Sequence, residues 1–192
     1  MKLTVLPLMP ERWPDLETLF KARGCSVARG CWCMYYRRSG AEKPLPAGKR
    51  RGEVNRADLK ALGDTGKLLG LIAYRGKLPV GWLSVGPRED YAKLKRSPVM
   101  KPVDDQPVWS IICFVVPAEY RGQGVARALL QGAIAYAKKH GATLLEAYPV
   151  DKPMRSKDDA MWFGAKSMYD KAGFEEVARR KPQRPVVRFK PT

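Results

Sequence analysis

The clearest hydrophobic pattern of the chain lies between residues 125 and 140, where apolar residues recur at helical spacing. The apolar positions fall at i, i+3, i+4, i+7, i+8 and i+11: Ala126, Leu129, Leu130, Ala133, Ile134 and Ala137. This spacing places them on one side of an amphipathic helix. Basic residues from Lys138 to His140 favour a helix C-terminus, and Gly141 suits a left-handed cap. We therefore predict a helix from Val125 to His140.

Shorter apolar runs predict strands on both sides of this helix. The longest run, from Val108 to Val116, predicts a buried central strand. Six further strands are predicted over Lys2–Leu8, Leu68–Tyr74, Val80–Val85, Thr143–Tyr148, Phe174–Arg180 and Val186–Lys190. Helical spacing predicts helices over Glu11–Ala22 and Lys49–Leu62. Strands and helices thus alternate in a mixed order along the chain. This order indicates an α/β (α+β) fold with one mostly antiparallel, twisted sheet of about six or seven strands and about four helices.

Length and composition indicate one domain over residues 1–192. The chain has 192 residues, of which 45% are hydrophobic, enough to bury a sizeable core. It contains no apolar run of 18 residues, so no membrane span is expected. The four cysteines occur without a secretory signal, which predicts a reducing cytoplasmic location.

Charge is the second large feature of the composition. The net charge is +17, and basic residues cluster at Lys49–Arg51, Lys93–Arg96 and Arg179–Lys190. Such a surface attracts anionic partners, among them coenzyme A, nucleic acid and acidic substrates. A solvated basic surface without any specific partner is the alternative interpretation.

A glycine-containing loop, Arg121-Gly122-Gln123-Gly124-Val125-Ala126, joins the central strand to the amphipathic helix. Helix N-termini present backbone N–H groups without intrahelical partners, and small residues let a phosphate approach them. The loop lacks the Lys-Ser/Thr pair of a Walker motif and the three spaced glycines of a dinucleotide fingerprint. We therefore expect a phosphorylated cofactor of another kind.

Two segments together resemble the GNAT superfamily of acetyl-CoA-dependent N-acetyltransferases. The first is Arg-x-x-Gly-x-Ala after a Val-x-Pro strand end, and the second is Ser167–Phe174, a short helical segment that ends in Gly-Phe. The resemblance implies the GNAT fold, with residues 108–192 as the acetyl-CoA-binding half and residues 1–107 supplying acceptor-pocket elements. It implies acetyl-CoA as co-substrate and no metal.

The resemblance also implies which residues bind the cofactor. The loop and first helical turn would hold the pyrophosphate, and the edge of the central strand would pair with the pantetheine arm. The expected cofactor-binding residues are Cys113, Phe114, Val115, Arg121, Gly122, Gln123, Gly124, Val125, Ala126 and Arg127.

Two residues are candidates for catalysis. Tyr169 lies where the family often has a tyrosine near the CoA sulfur, so the resemblance implies a general acid there; packing of the short helix is the alternative. The central strand offers no carboxylate for a general base, and Glu146 on the next strand is the nearest substitute. The alternative for Glu146 is a solvent-facing edge position. Trp162 stands where many relatives have an asparagine, a change at the acceptor pocket.

The segment Cys31–Arg38 is rich in thiols and aromatic rings. Trp32, Tyr35 and Tyr36 are spaced to share one helical face, and by resemblance they would line the acceptor pocket; core packing is the alternative. Together with Cys25, the segment gives Cys-x5-Cys-x-Cys, which lacks the paired spacings of a zinc site. We expect packed thiols and no metal.

The leading hypothesis is transfer of an acetyl group from acetyl-CoA to a primary amine of a small molecule or peptide by direct attack. The single histidine leaves no Ser-His-Asp or Cys-His arrangement to compete with it. A basic nucleic-acid-binding protein without acetyltransferase activity is the alternative; the sequence carries no recognised nucleic-acid-binding signature. No membrane partner is expected, and a homodimer is left open.

Overall fold

Seven strands form one mixed sheet in the computed structural model, which describes residues 3–40, 44–153 and 161–191. The strands are β1 Leu3–Pro7, β2 Leu71–Arg75, β3 Leu78–Pro87, β4 Trp109–Val115, β5 Leu145–Ala147, β6 Glu175–Lys181 and β7 Arg184–Phe189. Their order across the sheet is β1-β2-β3-β4-β5-β7-β6. Only the β4/β5 pair is parallel among these neighbours.

The described residues also form five α-helices, which cover both faces of the sheet. They are α1 Trp13–Lys21, α2 Ser26–Cys31, α3 Arg51–Asp64, α4 Val125–Lys139 and α5 Lys166–Asp170. Alternate residues of a strand point to opposite faces. On β2, Leu71 and Ala73 pack in the cluster that contains α4, whereas Ile72 and Tyr74 pack in the cluster that contains α1. The site described below lies where these two layers meet the end of β4.

The apolar face predicted for α4 is the face that packs on the sheet. Leu129, Leu130, Ala133 and Ala137 are buried. Gly132 permits a close approach, because a Cβ at this position would lie 2.5 Å from Cγ1 of Val5 on β1. The helix therefore lies directly against the sheet, and its N-terminus is fixed relative to β4.

The parallel strands β4 and β5 pair over only three positions, from Trp109↔Leu145 to Ile111↔Ala147. Beyond this point β4 continues to Val115, while β5 ends. A register shift opposite Ser84 and Val85 adds a bulge to β4 on its other side. The two strands therefore separate at the C-terminal half of β4, which opens the sheet next to the glycine loop.

The α/β architecture with a largely antiparallel sheet is confirmed. β5 is shorter than the predicted Thr143–Tyr148 strand. Within the segment Cys31–Arg38 only Cys31 is α-helical, because α2 ends there, so Trp32, Tyr35 and Tyr36 do not share a helical face. The charged residues over 151–159 also predict a loop there, and most of this range lies outside the described residues. Within the described parts of the chain, no helix is both long and apolar enough to cross a membrane.

Candidate active site

A cleft of about 730 Å³ opens where β4 separates from β5. Four segments line it: the α1–α2 connection with α2 and the residues after it, β4, the glycine loop with the first turn of α4, and residues 161–164. The titratable groups among the described lining residues are four thiols, three tyrosine hydroxyls and two guanidinium groups. Both halves of the chain therefore contribute to one cavity.

The glycine loop forms the positively polarised end of the cleft. Gly122 has φ +74° and Gly124, the N-cap of α4, has φ +79°. Residues with a Cβ atom adopt this left-handed backbone conformation only with strain. No side chain caps this helix end in the described structure. The first intrahelical hydrogen bond runs from the Ala128 N–H group to the Gly124 carbonyl. The first-turn N–H groups of Val125–Arg127 thus have no intrahelical acceptor, and all three residues line the cleft.

The two arginines of this region have different surroundings. Arg121 donates from Nε to the Val116 carbonyl over 2.9 Å and from a terminal nitrogen to the Gly24 carbonyl over 2.6 Å. It therefore ties the α1–α2 connection to the glycine loop. Arg127 is exposed, and none of the described residues makes a hydrogen bond or ion pair with its guanidinium group. Its charge is available to an anion in the cleft.

Gln123 differs from the other residues of the predicted cofactor loop. Its side-chain amide donates to the Glu119 carbonyl over 2.6 Å and accepts a hydrogen bond from Arg75 over 2.6 Å. It is not among the described residues that line the cleft. Its side chain stabilises the loop from outside the cavity.

The end of β4 forms one wall of the cleft. Cys113, Phe114 and Val115 all line it, as the sequence predicts for a cofactor-binding strand. The Phe114 N–H group is engaged, because it donates to the Trp162 carbonyl over 2.7 Å. A ligand that pairs with this strand would therefore use backbone groups beyond the Phe114 amide.

All four cysteines of the chain line this cleft. The Cys33 sulfur accepts a hydrogen bond from Nε1 of Trp82 over 3.4 Å. A hydrogen bond from the Cys113 thiol, and to a lesser extent that from Trp82, lowers the pKa of Cys33, while the same thiol–thiol contact and burial raise the pKa of Cys113. The sequence predicted packed thiols but gave no sign that they share one cavity. Among the described residues, no group of side chains forms a metal site.

The family model of the acetyltransferase (GNAT) family matches residues 32–162, about two thirds of the chain. The chain belongs to this family. No curated protein matches it in sequence at a significant level.

Solved structures of GNAT proteins share the fold over nearly the whole chain. An acetyltransferase from Thermus thermophilus has 18% identity and a TM-score of 0.54, covering 99% of this chain and 97% of its own. The PaiA N-acetyltransferase from Thermoplasma acidophilum, in complex with coenzyme A, has 17% identity and a TM-score of 0.51, with 99% of each chain covered. YncA from Salmonella typhimurium, solved with acetyl-CoA, has 12% identity and a TM-score of 0.53, covering 99% and 94%. At these identities the likeness establishes the fold.

In this GNAT protein, Tyr169 lies one layer behind the cleft wall. Its side chain is fully buried, and its hydroxyl donates to the Phe163 carbonyl over 2.9 Å. Burial raises the pKa of this hydroxyl, which therefore stays protonated. Tyr169 is not among the described lining residues. The geometry thus supports the packing alternative, because an acid must reach the thioester sulfur and this hydroxyl is held by the backbone.

Glu146 is the centre of a buried ionic network and does not line the cleft in the described structure. It is fully buried, pairs with Arg88 and Arg188, and accepts a hydrogen bond from the Tyr148 hydroxyl over 2.7 Å. Arg188 also pairs with Asp104 and holds the pKa of that carboxyl at about 2. The solvent-facing interpretation of Glu146 is wrong, because the carboxylate is buried between two guanidinium groups. The same burial, away from the described lining of the cleft, favours a structural role over that of a general base.

The three aromatic residues predicted for the acceptor pocket divide into two groups. Tyr35 and Tyr36 line the cleft. Trp32 is 3% exposed and stacks on Phe20 with ring centroids 4.7 Å apart, so it belongs to the core. Trp162 also lines the cleft, and the Phe163 ring lies next to both, with centroids 6.3 Å from Trp162 and 5.6 Å from Tyr36. We call Tyr35, Tyr36 and Trp162 the aromatic end of the cleft.

Proposed function

We propose that this GNAT protein transfers the acetyl group of acetyl-CoA to a primary amine of a small molecule or peptide by direct attack. The observation that supports this most is the continuity of one cleft from the unpartnered amides of α4, along β4, to an aromatic end. The diphosphate would bind the amides of Val125–Arg127, and the Arg127 guanidinium would add a charge. The coenzyme A and acetyl-CoA complexes of the neighbours from Thermoplasma and Salmonella support the choice of donor.

The two ends of the cleft agree with the proposed division of the chain. Residues 108–192 would bind acetyl-CoA, since they supply β4 and the glycine loop. Residues 1–107 would contribute to the acceptor end, where Tyr35 and Tyr36 stand. The pantetheine arm would lie along β4 and bring the thioester carbonyl to the backbone near Val115, where an N–H group stabilises negative charge on the oxygen.

The aromatic end favours an acceptor with an apolar or aromatic body next to its amine. Burial raises the pKa of Tyr36 to about 12, so its hydroxyl stays neutral and can donate to such an acceptor. Presenting a lysine-like amine in its neutral form at pH 7 costs about 4.6 kcal/mol for a pKa of about 10.4. Apolar walls disfavour the ammonium form and thereby offset part of this cost.

The structure gives the nucleic-acid alternative little support at the third basic cluster. Arg179 pairs with Asp151 and Glu176, and Arg188 pairs with Asp104 and Glu146. Arg180 donates to three backbone carbonyls. Side chains engaged in this way are not available to phosphates of a nucleic acid.

The proposed location is the cytoplasm, where reduced thiols persist; none of the four cysteines, all within the described residues, forms a disulfide in the structure. The proposal does not require a second copy, because described residues of one chain supply both ends of the cleft. Sedimentation velocity at micromolar concentration decides whether a homodimer forms.

A two-part experiment tests the proposal. Calorimetric titration with acetyl-CoA should show stoichiometric binding, and thiol release from acetyl-CoA should then be followed across a panel of amines, with aryl-alkyl amines and N-terminal aromatic peptides beside spermidine and an aminoglycoside. We expect the aryl-alkyl amines and aromatic peptides to react fastest. No heat from acetyl-CoA at millimolar concentration, together with duplex DNA binding that weakens steeply with salt, would establish the alternative.

A further inference from the structure

We propose that Cys33 and Cys113 form a reversible disulfide in the cleft and that this oxidation blocks acetyl-CoA binding. The disulfide itself rests only on the placement of the two thiols. Its effect on acetyl-CoA rests in addition on the proposed function of the cleft.

The sheet register places Cys113 on the same face as Trp82, whose side chain donates a hydrogen bond to the Cys33 sulfur. Cys113 pairs with Ser84 across β3 and β4, and Val115 pairs with Trp82 two positions further along. Because residues two apart on a strand share a face, Trp82 and Cys113 lie on one side of the sheet as diagonal neighbours. The Cys33 sulfur accepts a hydrogen bond from Nε1 of Trp82. Cys33 also belongs to the core cluster against which Cys113 packs.

The surroundings of the two sulfurs shift their pKa values in opposite directions. The neighbouring Cys113 thiol lowers the pKa of Cys33, and the Cys33 sulfur in turn raises the pKa of Cys113. The hydrogen bond from the Cys113 thiol to the Phe114 carbonyl is long, with 4.0 Å between sulfur and oxygen. Cys33 therefore loses its proton more readily than Cys113 does.

The backbone holds Cys33 in this position. Trp32 and Cys33 have φ values of 48° and 52°, in the left-handed region that side chains seldom adopt. Stacking of Trp32 on Phe20 fixes the first of these residues in the core. The nearby Arg37 guanidinium favours negative charge on the Cys33 sulfur.

Hydrogen peroxide is a sufficient oxidant, and it is small enough to reach both sulfurs through the cleft. The Cys33 thiolate attacks one peroxide oxygen, the O–O bond breaks, hydroxide leaves, and Cys33 becomes a sulfenic acid. The Cys113 sulfur then attacks the Cys33 sulfur, its proton passes to the departing oxygen, and water leaves. The two thiols lose two electrons and two protons in total, and peroxide is reduced to two waters.

The consequence for the cleft follows from where each sulfur sits. Cys113 belongs to the part of β4 that would carry the pantetheine arm, and Cys33 precedes Tyr35 at the acceptor end. A covalent bond between them would fix the acceptor segment against β4 and narrow the passage in which the thioester must lie. Bound acetyl-CoA would in turn shield the pair from peroxide.

The test uses the purified full chain, reduced and then treated with hydrogen peroxide with or without saturating coenzyme A. Free thiols are blocked with iodoacetamide and disulfides are mapped by mass spectrometry without reduction. Trypsin cleaves after Arg29 and Arg37, so Cys31 and Cys33 share a peptide and fragment ions must assign the linked sulfur. We expect the Cys33–Cys113 link to dominate, to form at least 10-fold more slowly with coenzyme A present, and to be reversed by dithiothreitol. Oxidised protein should bind coenzyme A at least 10-fold more weakly.

Two variants make the assignment specific. Cys25→Ser removes a thiol of the same cleft and should form the Cys33–Cys113 link as the wild type does. Cys113→Ser should form no such link and should leave a Cys33 sulfenic acid that dimedone traps. If Cys113→Ser does not fold, Cys113→Ala serves the same purpose.

The outcomes that would overturn the proposal are distinct from a failure of the proposed function. A dominant Cys31–Cys33 or Cys25–Cys31 link, or no link at all, overturns the disulfide. A Cys33–Cys113 link that leaves coenzyme A affinity unchanged overturns its effect on the cleft. If the reduced protein does not bind coenzyme A, the proposed function fails while the mapped disulfide stands.

Discussion

Glu146 and Arg188 are paired residues of β5 and β7, and Arg188 donates from Nε to the Glu146 carboxylate over 2.8 Å in the interior of the sheet. Arg88 contacts the other oxygen of the same carboxylate. A residue that looks like a catalytic base in the sequence is therefore an ionic link between strands.

We expect Glu146→Gln to lower the free energy of unfolding by about 3 to 5 kcal/mol, because removing one partner leaves buried guanidinium charge uncompensated. Denaturant unfolding measures this loss. Glu175→Gln, at an exposed position of β6, is the matched control and should change stability by less than about 0.5 kcal/mol. A stable Glu146→Gln protein with much slower turnover and a changed pH profile would restore the role of a base.

We expect Tyr169→Phe to lower stability by about 1 to 2 kcal/mol, because it leaves the buried Phe163 carbonyl without its donor. Turnover at saturating substrates should change by less than about threefold, a barrier change under about 0.7 kcal/mol. Thermal unfolding and steady-state kinetics on the same preparation separate the two effects. A loss in kcat of a hundredfold at unchanged stability would contradict the packing role and support the general acid.

Gly122 and Gly141 allow a matched test of the anion site. Their φ values are +74° and +73°, and a Cβ on either would meet nothing within 4 Å, but only Gly122 lines the cleft. Alanine at each position should cost about 1 to 2 kcal/mol of stability through the same backbone strain. We expect Gly122→Ala alone to weaken coenzyme A binding in calorimetry, by about tenfold. Equal affinities in the two variants would show that the diphosphate does not approach this loop.

The two thiols of the Cys-x-Cys segment should titrate in different pH ranges. The pKa of Cys33 is lowered from 9.0 chiefly by the Cys113 hydrogen bond, whereas burial raises the pKa of Cys31. Since the thiolate is the nucleophile, alkylation of Cys33 should reach half its maximal rate below pH 9 and that of Cys31 above it. Peptide mapping after iodoacetamide pulses at pH 6 to 11 measures both midpoints.

Cys113→Ser supplies the control for this titration. A serine hydroxyl still donates but leaves no second thiol, so the Cys33 midpoint should stay below that of Cys31. Coincident midpoints in the wild type would mean that the Trp82 and Cys113 donors do not stabilise the thiolate.

Local features of the sequence were enough to predict most elements of this fold, but not α2. The apolar spacing of α4, the glycines before it and the run of β4 each depend on residues a few positions apart. The glycine loop was predictable for the same reason, because a left-handed backbone and a small side chain are demands on single positions.

What the sequence by itself determined was therefore the periodicity, the order of elements and the glycine loop at the N-terminus of α4. Only the tertiary structure showed that Glu146, Tyr169 and Trp32 are buried away from the cleft lining and that the four cysteines line one cavity. Glu146 meets Arg88 across 58 positions of sequence, and Cys33 meets Trp82 across 49. Charge and hydrogen-bond partners at such separations are set by how the helical layers and strands pack, and a sequence pattern carries no signal of that packing.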